Sequence, residues 1–95
     1  MELVREGQAI RSYNEAGEKI AEITFPVTAD ANVVDANHTF VSPELRGQGA
    51  AGQLLDRLVE EMDKEGKKIK ATCPYVVRKF EEEPEKYNHI NVDAK

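Results

Sequence analysis

The stretch Ser42-Pro43-Glu44-Leu45-Arg46-Gly47-Gln48-Gly49-Ala50-Ala51-Gly52-Gln53-Leu54-Leu55-Asp56-Arg57-Leu58-Val59-Glu60-Glu61-Met62 decides how this 95-residue chain is read. Its second half repeats with the period of a helix. Leu54, Leu55, Leu58, Val59 and Met62 fall on one stripe, extended a turn earlier by Ala51, while Gln53, Asp56, Arg57, Glu60 and Lys64 cover the other side. The spacing predicts an amphipathic helix over about residues 48–65, stopped by Gly66 where a left-handed cap is favoured. Its first half is a turn. Three glycines and two alanines within residues 46–52 remove side chains where the backbone must approach something closely. The start of a helix presents unpaired N–H groups and the positive end of the macrodipole, and Arg46 adds a fixed charge beside them. Together these residues predict a phosphate or pyrophosphate site.

Outward from this turn the pattern is different on each side. Towards the N-terminus, residues 2–6 and 9–13 read as short strands, and residues 14–18 as a turn. Residues 19–25 alternate, with Ala21, Ile23 and Phe25 on one face and Glu22 and Thr24 on the other. Residues 33–41 read as one further strand, with Val34, Ala36, His38 and Phe40 sharing a face. Towards the C-terminus, residues 69–73 form a short strand. A second helix follows with Pro74 at its first position and Val76, Val77 and Phe80 inward, limited by Pro84. The tail, residues 85–95, has too few apolar side chains to assign. Tight turns make the early strands antiparallel, and the strand–helix–strand unit from 33 to 73 is a parallel crossover. The expected class is α+β (α/β mixed): antiparallel strands followed by a parallel β-α-β unit, helices packed on the sheet.

Composition bounds the function. With 40% hydrophobic and 33% charged residues, the chain reads as one soluble globular domain spanning residues 1–95. A net charge of −5 argues against a nucleic-acid partner, which needs clustered Lys and Arg. No apolar run approaches the ~18 residues of a membrane span. The opening MELVREGQAI lacks the pattern of a secretory signal. One cysteine, Cys73, rules out an internal disulfide, and with His38 and His89 far apart no zinc site is expected. A cytoplasmic monomer is the expectation.

The glycine turn admits several anion sites. A nucleotide-triphosphate loop requires Gly-Lys-Ser/Thr, whereas Ala50, Ala51 and Gly52 follow Gly49. Gly47, Gly49 and Gly52 do match the G-x-G-x-x-G spacing of dinucleotide sites. That turn, however, normally follows the first strand of a β-α-β unit whose second strand closes on an acid, and here the next strand ends on Cys73-Pro74. A turn that only lets helix and sheet pack closely also fits. Cys73, just before Pro74, falls at the N-cap of the last helix, a position that stabilises a thiolate; a small buried strand-end residue is the plain alternative. His38 could serve as a base or as a hydrogen-bonded core residue.

Three motifs in register resolve the choice. Arg46-Gly47-Gln48-Gly49-Ala50-Ala51 matches the R/Q-x-x-G-x-G/A signature of the GNAT N-acetyltransferase superfamily. The chain further resembles very short GNAT-like acetyltransferases through His38-Thr39-Phe40-Val41, the run from Val41 to Gly49, and Cys73-Pro74, a likeness extending from about residue 19 to 87. The resemblance implies acetyl-CoA as cofactor, with its pyrophosphate on the amides of Arg46, Gly47, Gln48, Gly49, Ala50, Ala51 and Gly52. It implies a pantetheine arm paired along Phe40 and Val41, and a thioester directed towards His38 and Cys73 as catalytic residues. Tyr75 and Arg78 are candidates to approach the cofactor from the last helix. Acetyl would pass to an amine, directly or through Cys73. Full-length relatives build an acceptor wall from helices between their first two strands, for which this chain has no room before residue 33. An open acceptor face favours a protein or peptide acceptor. The alternative is a CoA-binding carrier or sensor without turnover.

Overall fold

The computed structural model describes residues 1–94. Strands β1 (Val4–Arg5), β2 (Ala9–Tyr13) and β3 (Lys19–Thr24) form an antiparallel meander. Its second turn is shaped by Asn14, whose Oδ1 accepts from the amides of Ala16 and Glu18. The expected strand at residues 33–41 is two strands. β4 (Val33–Ala36) pairs in parallel with β6 (Lys68–Ala71), whereas β5 (His38–Val41) pairs antiparallel with β3. One length of chain thus belongs to a four-stranded sheet, β1-β2-β3-β5, and to a two-stranded one, β4-β6. Asn91 adds a parallel bridge outside β6, opposite Ile69.

After a single 3-10 turn at Pro43–Leu45, α1 runs over Ala50–Glu65. The apolar stripe does what its period predicts: Leu54, Leu55, Leu58 and Met62 are fully buried against Ile10, Ala21, Ile23, Val34, Ala36 and Ile69. Each such side chain contributes on the order of 1.5–3 kcal/mol of burial. Gly66, at a φ of 69°, ends the helix in the left-handed region, with its own N–H on Asp63 O and that of Lys67 on Met62 O.

Helices α2 (Pro74–Glu82) and α3 (Pro84–Tyr87) pack beside α1. Tyr87 Oη donates to Asp56 Oδ1 at 3.0 Å, and Lys86 pairs with Asp56 at 3.2 Å. The tail unassigned from sequence supplies Tyr87 and Ile90 to the core, both 1% exposed. Phe80 of α2 packs on Tyr87 of α3 at 5.2 Å and Tyr87 bonds Asp56 of α1, so the three helices form one layer over the common core. On the other side of the sheet, Glu22 is only 6% exposed without a helix above it, because Arg11 Nε (2.6 Å) and Lys19 Nζ (3.0 Å) close over its carboxylate.

Candidate active site

The site is made by the switch at Asn37. β4 places Val34 and Ala36 in the core. Regular alternation would keep His38 and Phe40 on that face, but β5 is registered so that Thr39 lies opposite Ile23 and Val41 opposite Ala21, both core positions of β3. One extra residue has reversed the facing, so Thr39 and Val41 turn towards α1 while His38 and Phe40 turn outward. Asn37 itself is exposed, its Oδ1 accepting from Thr24 Oγ1 at 2.6 Å. β5 then leaves the line of β6. The parting begins where Thr72 and Cys73 both donate their amides to Ala36 O, at 3.2 and 2.9 Å.

The parting opens into a cleft of 290 Å³ lined by Val41, Leu45, Arg46, Gly47, Gly49, Ala50, Ala51, Gly52 and Tyr75. Its outer end is the start of α1. Gly49 caps the helix at a φ of 72°, where a side chain would be strained, and offers no side-chain acceptor. The first intrahelical bond runs from Gln53 N–H to Gly49 O, so the amides of Ala50, Ala51 and Gly52 precede it. No acidic residue sits in the first turn, and Arg46 is exposed and in no ion pair among the described residues. Free amides, an uncompensated dipole and an uncommitted guanidinium are what an anion needs. A pyrophosphate fits this end.

The edge of β5 forms one wall. Ser42 N–H donates to Ile20 O, which makes 42/20, 40/22 and 38/24 the hydrogen-bonded pairs. The main-chain groups of Phe40 and His38 are therefore spent on β3, and those of Thr39 and Val41 point to the cleft. Phe40's ring lies on the outward face below Lys19 Nζ, 5.7 Å from the ring centre. Across the cleft, the Tyr75 hydroxyl lies 3.7 Å from where a Cβ on Gly52 would stand. Burial raises the pKa of Tyr75, and Arg78 lies over its ring at 5.7 Å. Gln48, by contrast, turns its side chain back to Glu44 O.

Cys73 is not part of the cleft's lining; it stands where the strands part, its N–H on Ala36 O. It is 6% exposed and occupies the N-cap of α2, with Val77 N–H on its carbonyl. Its Sγ meets Thr39 Oγ1 at 3.4 Å. The residue beside the thiol is therefore Thr39, which sequence reading passed over, and not its neighbour. His38 stands on the outward face, 55% exposed, with Nε2 3.7 Å from Glu22 Oε1. The expectation that it shares the buried face of Val34 and Ala36 is corrected by the reversal at Asn37. His89 is exposed and pairs with Asp63 at 3.1 Å, remote from the cleft in sequence and contacts. Glu83 bonds Lys79, which lowers the pKa of the one and raises that of the other.

A larger groove, 380 Å³, runs between α1 and α3. Its carboxylates Asp56, Glu60 and Asp63 are matched by Lys86, Lys64 and His89, which leaves it no free reactive group. No cluster of three or more metal-ligating side chains occurs among the described residues, and no helix of them is long and apolar enough to cross a membrane.

A splayed sheet with an open cleft at a glycine-rich helix start, and a buried thiol near the parting strands, defines a class of protein that can hold a phosphate-tailed acyl carrier. Comparison with known families gives the same answer from sequence. The model described as GCN5-related N-acetyl-transferase matches residues 10–90, and the chain belongs to that family, whose members use acetyl-CoA. A solution structure of a GCN5-like N-acetyltransferase from Staphylococcus aureus superposes with a TM-score of 0.79 at 29% identity, covering 99% of this chain and 90% of that one. N-acetylglutamate synthase from Neisseria gonorrhoeae, determined with coenzyme A and N-acetyl-glutamate, superposes at 0.64 with 17% identity, over 79% of this chain and 18% of that one. Ribosomal-protein-alanine N-acetyltransferase from Brucella melitensis does so at 0.59 with 21% identity, over 92% and 64%. The latter two likenesses speak to the fold. Comparison with curated proteins finds no match.

Proposed function

We propose that the chain takes an acetyl group from acetyl-CoA and delivers it to an amine on a protein or peptide. The observation that carries this reading is the cleft at the start of α1, where Ala50, Ala51 and Gly52 stand with Arg46 and Tyr75; the Thr39–Cys73 contact lies at the neighbouring strand ends, outside the cleft's lining. Bound acetyl-CoA supplies an activated thioester. The amides of Ala50, Ala51 and Gly52, with Arg46, hold its pyrophosphate. Thr39 and Val41 offer their outward main-chain groups as a strand edge for the pantetheine amides, a role the sequence reading gave to Phe40 and Val41. Tyr75, kept protonated because burial raises its pKa, has a proton to give a leaving thiolate.

Two routes use the residues differently. In one, Cys73 becomes acetylated and passes the group on. In the other, the amine attacks directly and His38 accepts its proton from the outward face. That face carries no helix, which suits an acceptor presented by an extended partner rather than enclosed in a pocket.

Intact-mass measurement after incubation with acetyl-CoA separates these readings. The covalent route predicts one acetyl added to the wild type and none to Cys73→Ala. An unmodified Cys73 with transfer to lysine peptides supports direct attack. Neither product, with CoA still raising the thermal midpoint, leaves a CoA-binding module. No thermal shift at all removes the proposal.

A further inference from the structure

We infer that Thr39 is the positioning residue for Cys73: its hydroxyl orients Sγ and donates to it whenever the sulfur is anionic. This rests on the reading of Cys73 as the acetyl-carrying thiol. The main chain around the cysteine is already committed, its N–H to Ala36 O and its carbonyl to Val77 N–H. The side chain does not cap α2. Among the described residues the one polar side chain that reaches Sγ is Thr39, and no charged group bonds to it. Thr39 in turn has no other side-chain partner among the described residues. It comes to face the sulfur through the reversal at Asn37; in a regular strand position 39 would point to the opposite side.

The step balances without a further reactant. Cys73 gives its thiol proton to water, and Sγ forms a bond to the acetyl carbon as the bond from that carbon to the CoA sulfur breaks. The departing thiolate takes a proton from the Tyr75 hydroxyl, which regains one from water. The acceptor amine then bonds to the same carbon, the carbon–Sγ bond breaks, and the amine proton goes to solvent. Sγ carries negative charge both before attack and on release. At both moments the Thr39 hydroxyl is a donor 3.4 Å away.

Valine matches threonine in shape but lacks the donor, serine keeps the donor and lacks the methyl, and alanine lacks both. The experiment measures the rate of Cys73 alkylation by iodoacetamide against pH in wild type, Thr39→Val, Thr39→Ser and Thr39→Ala. A hydrogen bond to a charged acceptor corresponds to about a tenfold effect. Thr39→Val and Thr39→Ala are expected to react about tenfold more slowly near neutrality, with the whole rate–pH curve displaced to higher pH, and Thr39→Ser to follow the wild type. Wild-type behaviour in Thr39→Val overturns the inference. So does slowing in serine and alanine but not valine, since the effect would then follow the methyl group. If Thr39→Val does not fold, equal rates in the serine and alanine variants overturn it, and a slow alanine with a normal serine supports it. Alkylation needs no acetyl-CoA, so an unacetylated wild type defeats the covalent route through Cys73 while leaving this result to be read by itself.

Discussion

The two halves of the segment 33–41 are strands of equal length that live in different environments. In β4, Val33, Val34 and Ala36 are buried and hydrogen-bonded to a parallel neighbour, and the strand is pinned on β6. In β5, His38 is exposed, Thr39, Phe40 and Val41 are half-buried, and the neighbour is antiparallel β3 on one side only. β4 holds the fold; β5 walls the cleft. The difference teaches that the cleft is an unfilled strand position: the pairing that β4 completes with β6 is left open in β5, and a ligand with amide groups can complete it. Parting two strands exposes main-chain donors that would otherwise be satisfied, and a glycine-rich helix start at the end of the same gap adds the charge that selects the ligand.

The sharpest way to break this comparison is one charge in each half. Val34→Asp buries a carboxylate at a position 1% exposed, with a cost of roughly 3–5 kcal/mol, and is expected to leave the chain largely unfolded by circular dichroism. Val41→Asp, in the cleft wall, is expected to fold with a thermal midpoint lowered by a few degrees and to lose stabilisation by CoA. Equal unfolding in both would mean that the halves do not divide fold from cleft wall.

A second test sharpens the selective end. Arg46→Glu with Gly49→Glu is expected to weaken CoA binding about a hundredfold by titration calorimetry, since each lost charge-assisted contact contributes roughly 1.5–3 kcal/mol. The glutamate at position 49 also costs about 1–2 kcal/mol of strain in the free protein, because residue 49 sits at a φ of 72°. Undiminished CoA affinity would move the anion site elsewhere.

The smallest effect concerns the outward face of β5. Burial pushes the Glu22 carboxyl up, but the bonds from Arg11 and Lys19 outweigh it, and its pKa lies below the ordinary 4.5. A carboxylate lower in the folded than in the unfolded state stabilises above the unfolded value and loses that contribution as pH falls through the folded one. Acid unfolding of the wild type should therefore steepen below pH 4.5, and Glu22→Gln should be flatter over that range. Glu65, lowered by its bond to Arg5, keeps its share in both proteins, whereas Glu6 shares Arg11 with Glu22 and is coupled to it. An unchanged acid profile would show that Glu22 contributes no pH-dependent stability.

The sequence by itself determined the parts whose signals are local. The helix of residues 50–65 was legible in its apolar period and in Gly66, the turn before it in the glycines and alanines of residues 46–52, and the N-cap position of Cys73 in the proline that follows it. The strand order, antiparallel then parallel, followed from turn lengths. What only the tertiary structure decided is where the strand 33–41 changes partners. Alternation carries a face from one residue to the next, and a single extra residue reverses it; the run Asp35-Ala36-Asn37-His38-Thr39, polar through the middle of a strand, is a signal that something intervenes but does not say which residue is the extra one. That one reversal took His38 out of the core, put Thr39 against Cys73 and turned the free edge of β5 towards the cleft. Tyr87 and Ile90 were illegible for a related reason: an isolated apolar residue has no period, and it is buried only because α1 and β6 are already there to receive it.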